Sequence, residues 1–151
     1  MNGNNNTEVR CLNMLKFIHT GSLMGMLLCP IVVAAQLAVT VSPPKITDQK
    51  AVVELKMKNG LAGKVESARA ICFLLDEHGN MVGESSKWVI GGTKNRPALE
   101  PEKETSFNFV ITSSQPFVTT NLTAKVSFSR VVLEGEKLAD PKMDVQIQNN
   151  Q

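Results

Sequence analysis

The chain has 151 residues, of which 42% are hydrophobic and 20% charged, and its formal net charge is +2. That balance fits one ordinary globular domain and excludes a disordered, fibrous or long multi-domain chain. A charge this close to neutral leaves no electrostatic footprint for nucleic acid or for an acidic membrane surface.

The first 35 residues differ from the rest. After a polar start with Arg10 and Lys16, the stretch from Phe17 to Ala35 (FIHTGSLMGMLLCPIVVAA) has no Asp, Glu, Lys or Arg and ends in small residues. A basic flank, an apolar run and small residues at the end are the three parts of a secretory signal peptide. The densest part, Leu23 to Val33, is shorter than the roughly 20 residues that span a bilayer. The sequence therefore predicts a signal helix over 1–35, cleaved after Ala35, and a periplasmic or secreted product. The alternative is an uncleaved segment that anchors the protein facing outward, the one case giving membrane contact. Lipidation at Cys29 is a minor variant, and Met14 offers a second start. Cleavage removes Cys11 and Cys29 and leaves Cys72 without a partner, so the domain must rely on its core rather than on a disulfide.

From residue 36 on, the pattern has period two. In AVVELKMK, Ala51, Val53, Leu55 and Met57 share one face, while Glu54, Lys56 and Lys58 share the other. Asn59-Gly60 ends the run, with a tight turn of positive φ expected there. Phe107, Phe109 and Ile111 alternate likewise, as do Leu122, Ala124, Val126 and Phe128. With Leu37 to Val41, Ala68 to Leu75, Met81 to Val89 and a weak Met143 to Ile147, about seven strands are expected. The fold class is thus all-β, an immunoglobulin-like antiparallel sandwich over 36–140, followed by a polar strand or fraying tail over 141–151. The Cys-Trp-Cys signature of true immunoglobulin domains is missing. GGTKNRP, from Gly91 to Pro97, reads as a flexible connection.

Few residues invite chemistry. Asp76-Glu77-His78 contains the sole histidine beyond residue 35, and adjacent turn residues diverge rather than converge on a metal. The reading is a turn: Asp76 binds nearby amides, Gly79 or Asn80 takes the positive φ, and Glu77 and His78 are solvated. Cys72 shares its face with Ala68, Ala70 and Leu74 and is expected buried. Trp88 is expected partly buried. Lys87, Lys94 and Arg96 read as a solvated loop, and Asn121-Leu122-Thr123 matches the short N-glycosylation pattern. No catalytic, metal or cofactor residue is assigned.

Two stretches resemble a known family. VESARAICFLLDEHGNMVG and LEPEKETSFNF are similar to the FxLYD-type domain, an immunoglobulin-like module of bacterial exported and envelope proteins. Its aromatic-x-Leu-Tyr-Asp strand end looks like Phe73-Leu74-Leu75-Asp76, its hairpin like Asp76, Gly79 and Val82, and its Leu-x-Pro-Gly-Glu step like Leu99 and Pro101, leading to Phe107. Leu75 replaces the usual tyrosine and Glu102 the usual glycine. The resemblance implies fold and export, with no catalytic residues.

The expected function is that of an exported, non-enzymatic binding or accessory module of the bacterial envelope. Its partner is expected to be another envelope protein, met through loops or a sheet edge, and Leu37, Val39 and Val41 are the expected edge strand. A membrane-anchored structural protein is the alternative, and a small metal-dependent enzyme a more distant one.

Overall fold

The computed structural model describes residues 35–119 and 121–150. The expected signal helix, its cleavage site and Cys29 fall outside those residues, apart from Ala35 itself. The described part is all-β and contains no helix, so no helix there is long and apolar enough to cross a membrane.

Nine strands form two sheets: β1 (Leu37–Val41), β2 (Lys45–Thr47), β3 (Lys50–Asn59), β4 (Val65–Leu75), β5 (Met81–Ile90), β6 (Glu104–Thr112), β7 (Thr123–Leu133), β8 (Lys137–Leu138) and β9 (Val145–Asn149). In the first sheet β3 is the centre. β6 runs antiparallel along one side of it, β2 and β1 share the other side, and β9 lies parallel to β1. The second sheet has the order β5-β4-β7-β8, all antiparallel. The chain thus makes the expected sandwich, with two more strands than the pattern suggests: the three-residue β2 and the two-residue β8 are too short for alternation to reveal.

The core is one cluster between the sheets. β3 buries Ala51, Val53, Leu55 and Met57, β6 buries Phe109 and Ile111, and β7 buries Ala124, Val126 and Phe128. Each large inward side chain contributes about 2–3 kcal/mol through the apolar area it removes from water. β4 answers them with small residues, Ala68, Ala70 and Cys72, beside Leu74. Phe109, fully buried, meets Phe107 edge-to-face at 5.1 Å. Gly83 on β5 lies under Ile111, whose Cγ2 would stand 2.9 Å from an added Cβ.

Three sequence expectations need correction. Neither Asn59 nor Gly60 takes a positive φ. Asn59 is the last residue of β3, and its buried side chain is used for bonding instead. Its Nδ2 donates to the carbonyls of Gly63 and Leu99, both at 3.0 Å, and its Oδ1 accepts from the Leu61 amide at 3.0 Å. The Gly91 to Pro97 segment is not a loose connection. The Gly91 amide donates to the Pro97 carbonyl and the Arg96 amide to the Thr93 carbonyl, and Leu99 then bridges Val65 through two backbone bonds of 2.9 Å. The polar residues from Val145 to Asn149, expected to fray, are instead paired along their backbone with β1, and Val145 is buried. Residues 145–149 therefore belong to the sandwich.

The step after Leu99 is a turn closed by the Lys103 amide donating to the Glu100 carbonyl, with Pro101 in its second position and Glu102 in its third at φ 59°. That third position favours glycine, because an L side chain in the left-handed region costs about 1 kcal/mol. The 4.0 Å contact of Glu102 with Lys58 is exposed and offsets little of this cost. Glu102→Gly is therefore expected to raise stability by about 0.5 kcal/mol, the looser unfolded chain taking back part of the gain. A urea midpoint that stays put or falls would show that the turn carries no strain.

Candidate functional site

The Asp76 turn is held from within. Asp76 Oδ1 accepts from the amides of His78 at 2.9 Å and Asn80 at 2.8 Å, while Oδ2 accepts from Asn80 Nδ2 at 3.0 Å. Gly79 takes the positive φ, at 81°. The Asn80 side chain, followed by its amide and that of His78, holds the exposed Asp76 carboxyl below its ordinary pKa. His78 and Glu77 project into water 4.0 Å apart. Among the described residues no three His, Cys, Asp or Glu side chains gather as a metal site would require. The Asp76 carboxylate shapes the hairpin, as the residue types and spacing of the turn suggest.

Cys72 is fully buried, and desolvation raises its thiol to about 11, so thiolate is negligible near neutral pH. Arg96 lies over the Phe107 ring at 4.4 Å, while Lys87 and Lys94 are exposed. Trp88 is half-buried, its indole against Gly92, where an added Cβ would come within 2.5 Å of the ring.

The expected edge strand is not an edge. β1 is hydrogen-bonded on both sides, to β3 through Leu37↔Asn59 to Val41↔Leu55 and to β9 through Leu37↔Val145 to Val41↔Asn149. Leu37, Val39 and Val41 are buried in the core. A short, terminal strand looks like an edge in sequence, but the parallel β9 that covers it comes from the far end of the chain. Among the described residues the strands paired on one side only are β2, β6 and β9 in the first sheet and β5 and β8 in the second, where β8 covers β7 only at Val132 and Leu133.

The remaining motif residues divide between structural and exposed roles. Leu99, Pro101 and Phe107 hold the crossing from β5 to β6, whereas Phe73 and Leu75 point outward. Along β4 the even residues from Ala68 to Leu74 are buried, and the odd ones, Ile71, Phe73 and Leu75, lie partly exposed on the outer face. The sequence reading followed the even face alone. The signal for the odd face was there in AICFLL: side chains on one parity are mostly small, and on the other all are large.

Two surfaces therefore combine apolar side chains with water. One is the outer face of the β5-β4-β7-β8 sheet. The outer face of the other sheet is mostly polar, with Lys56, Lys58, Ser106 and Asn108. The second surface is at one end of the sandwich, where the β4–β5 hairpin and the β6–β7 loop enclose a groove of about 400 Å³ lined by Val82, Phe117, Val118 and Leu122, with Asp76 and Glu77 at its rim. Val118 is fully exposed, and Met81 beside the hairpin is 59% exposed. No family model, curated protein or solved structure matches this chain.

Proposed function

We propose that the protein is an exported, non-enzymatic binding or accessory module of the bacterial envelope that meets a protein partner through its loops. The observation that carries this reading is the loop-end groove, where Val118 stands fully in water beside Phe117 and Val82. A β6–β7 connection needs only turn-forming residues, so apolar side chains held at its tip serve contact rather than folding. The acidic rim suits a partner segment with an apolar anchor flanked by basic residues. The leader-like composition of residues 17–35 and the resemblance of Phe73 to Val82 to the FxLYD-type hairpin support export to the envelope.

The test is recovery of the full chain, tagged after Gln151, from fractionated bacterial cells. The expected product is a soluble species starting at Gln36 that retains an envelope protein, and Val118→Asp releases that protein without changing the circular dichroism. A chain that keeps residues 17–35 in the membrane pellet would support the anchored alternative. Retention that ignores Val118→Asp would reject the groove.

A further inference from the structure

The outer face of the four-stranded sheet is ordered row by row by the strand register. Across β5, β4 and β7 the rows are Met81–Leu75–Thr123, Glu84–Phe73–Lys125, Ser86–Ile71–Ser127 and Trp88–Arg69–Arg130. The middle column is a spine of three large apolar side chains, with an acid on one flank of Phe73 and a base on the other. We propose that this face is a self-association surface whose occupant is the same face of a second copy, related by a two-fold axis along β4.

The register decides the direction of the axis. A two-fold along the strands lays β5 of one copy over β7 of the other, so Glu84 faces Lys125 of the second copy and Lys125 faces its Glu84, while the spines of Ile71, Phe73 and Leu75 stack. A two-fold across the strands lays β5 over β5 and β7 over β7, so Glu84 and Lys125 never meet and an axis through their row would set like on like; charge selects the first arrangement. Packed sheets cross at about 30°. Glu84 and Lys125 are one strand from the axis, about 5 Å, so the crossing displaces each from its opposite by only about 2.5 Å. The flexible side chains span that offset. Arg69 is the group the axis brings nearest its own copy, and its Nε donates to Ser86 Oγ at 3.1 Å, which draws the guanidinium toward β5 and off the axis.

The size of the patch sets the strength. Three strands about 5 Å apart and seven residues at about 3.3 Å each give a patch of about 350 Å² per copy, well below the roughly 800 Å² per partner of a stable complex. The dimer is therefore a transient one, populated only at high protein concentration.

Sedimentation of the full chain as recovered from the cell, over a series reaching about 1 mM, tests this. The weight-average mass is expected to rise toward twice the monomer. Glu84→Lys and Lys125→Glu should each weaken association about tenfold, because the two-fold repeats every contact. An equimolar mixture of these two variants should associate at least as well as wild type, since each then offers what the other lacks. Both positions are exposed, so the variants leave the fold intact. A wild-type chain that stays monomeric at 1 mM overturns the proposal and leaves the spine to a different protein. So does a dimer indifferent to both substitutions, or a mixture no better than its components. None of these outcomes touches the loop-end groove, which is read separately through Val118.

Discussion

Asn59→Ala is expected to cost about 3 kcal/mol, a large share of the 5–15 kcal/mol that holds a domain of this size together. The amide it removes is buried and makes three bonds of 3.0 Å, to Gly63, Leu99 and Leu61, so truncation leaves the Gly63 carbonyl and the Leu61 N–H without those partners and the Leu99 carbonyl with its bond to the Val65 amide alone. Those groups belong to two different connections, the β3–β4 loop and the segment that bridges Leu99 to Val65, and both loosen together. The expected readout is a melting temperature about 12 °C or more below wild type. Asn59→Asp separates shape from chemistry. It keeps the acceptor for Leu61 but turns an oxygen toward the two carbonyls, so the folded state favours the protonated acid and raises its pKa above the unfolded value. The variant is then most stable below about pH 4, the unfolded aspartate value, and loses stability as pH rises through the folded pKa. An alanine variant within 1 kcal/mol of wild type, or an aspartate variant with no gain on acidification, would refute this role for Asn59.

Gly91→Ala is the second large effect expected, and its cause is steric. Gly91 has φ 51°, and an added Cβ would fall 1.9 Å from the Glu66 carbonyl oxygen and 3.0 Å from its carbon, both backbone atoms of β4. Left-handed backbone alone costs an alanine about 1 kcal/mol. Gly135 isolates that term, since its φ is 74° and nothing lies within 4 Å of its would-be Cβ. Gly135→Ala is expected to cost about 1 kcal/mol, and Gly91→Ala at least about 3 kcal/mol, because β4 must shift to admit the methyl. Paired urea denaturation measures the difference. Equal costs would mean that Glu66 yields freely and the close approach carries no constraint.

The parts of this fold that could be read from the sequence are those where one face is buried and the other wet. β3, β6 and β7 show clean alternation because each places one side against the core, and apart from Leu122, which stands just before β7, their expected residues lie within the observed strands. β9 shows only weakly, expected over Met143 to Ile147 and found over Val145–Asn149, because this edge strand has one buried anchor, Val145, while the rest of its attachment is backbone pairing that side chains do not announce. The same blindness made β1 look like an edge. At the Asp76 turn the reading held in full, since short-range side-chain to amide bonds depend on residue type and spacing alone. Asn59 was read as a turn former because its long-range partner, Leu99, is invisible locally. The outward stripe of β4 was passed over because an apolar run on both faces of a strand resembles a fully buried one.

The β1–β9 pairing also governs when the protein can finish folding. Among the described residues β1 is the first strand and β9 the last, and they sit side by side. While the chain is being made, or threaded through a pore with its N-terminus leading, β1 can pair with β3, but its other side has no strand to receive until Val145 to Asn149 emerge. Completion of the first sheet is therefore late, delayed by the longest separation between paired strands in the fold. Until then the side of β1 that β9 will cover stands open, so a chain cut short before Val145 would carry a permanently sticky edge where the finished one has a sealed seam.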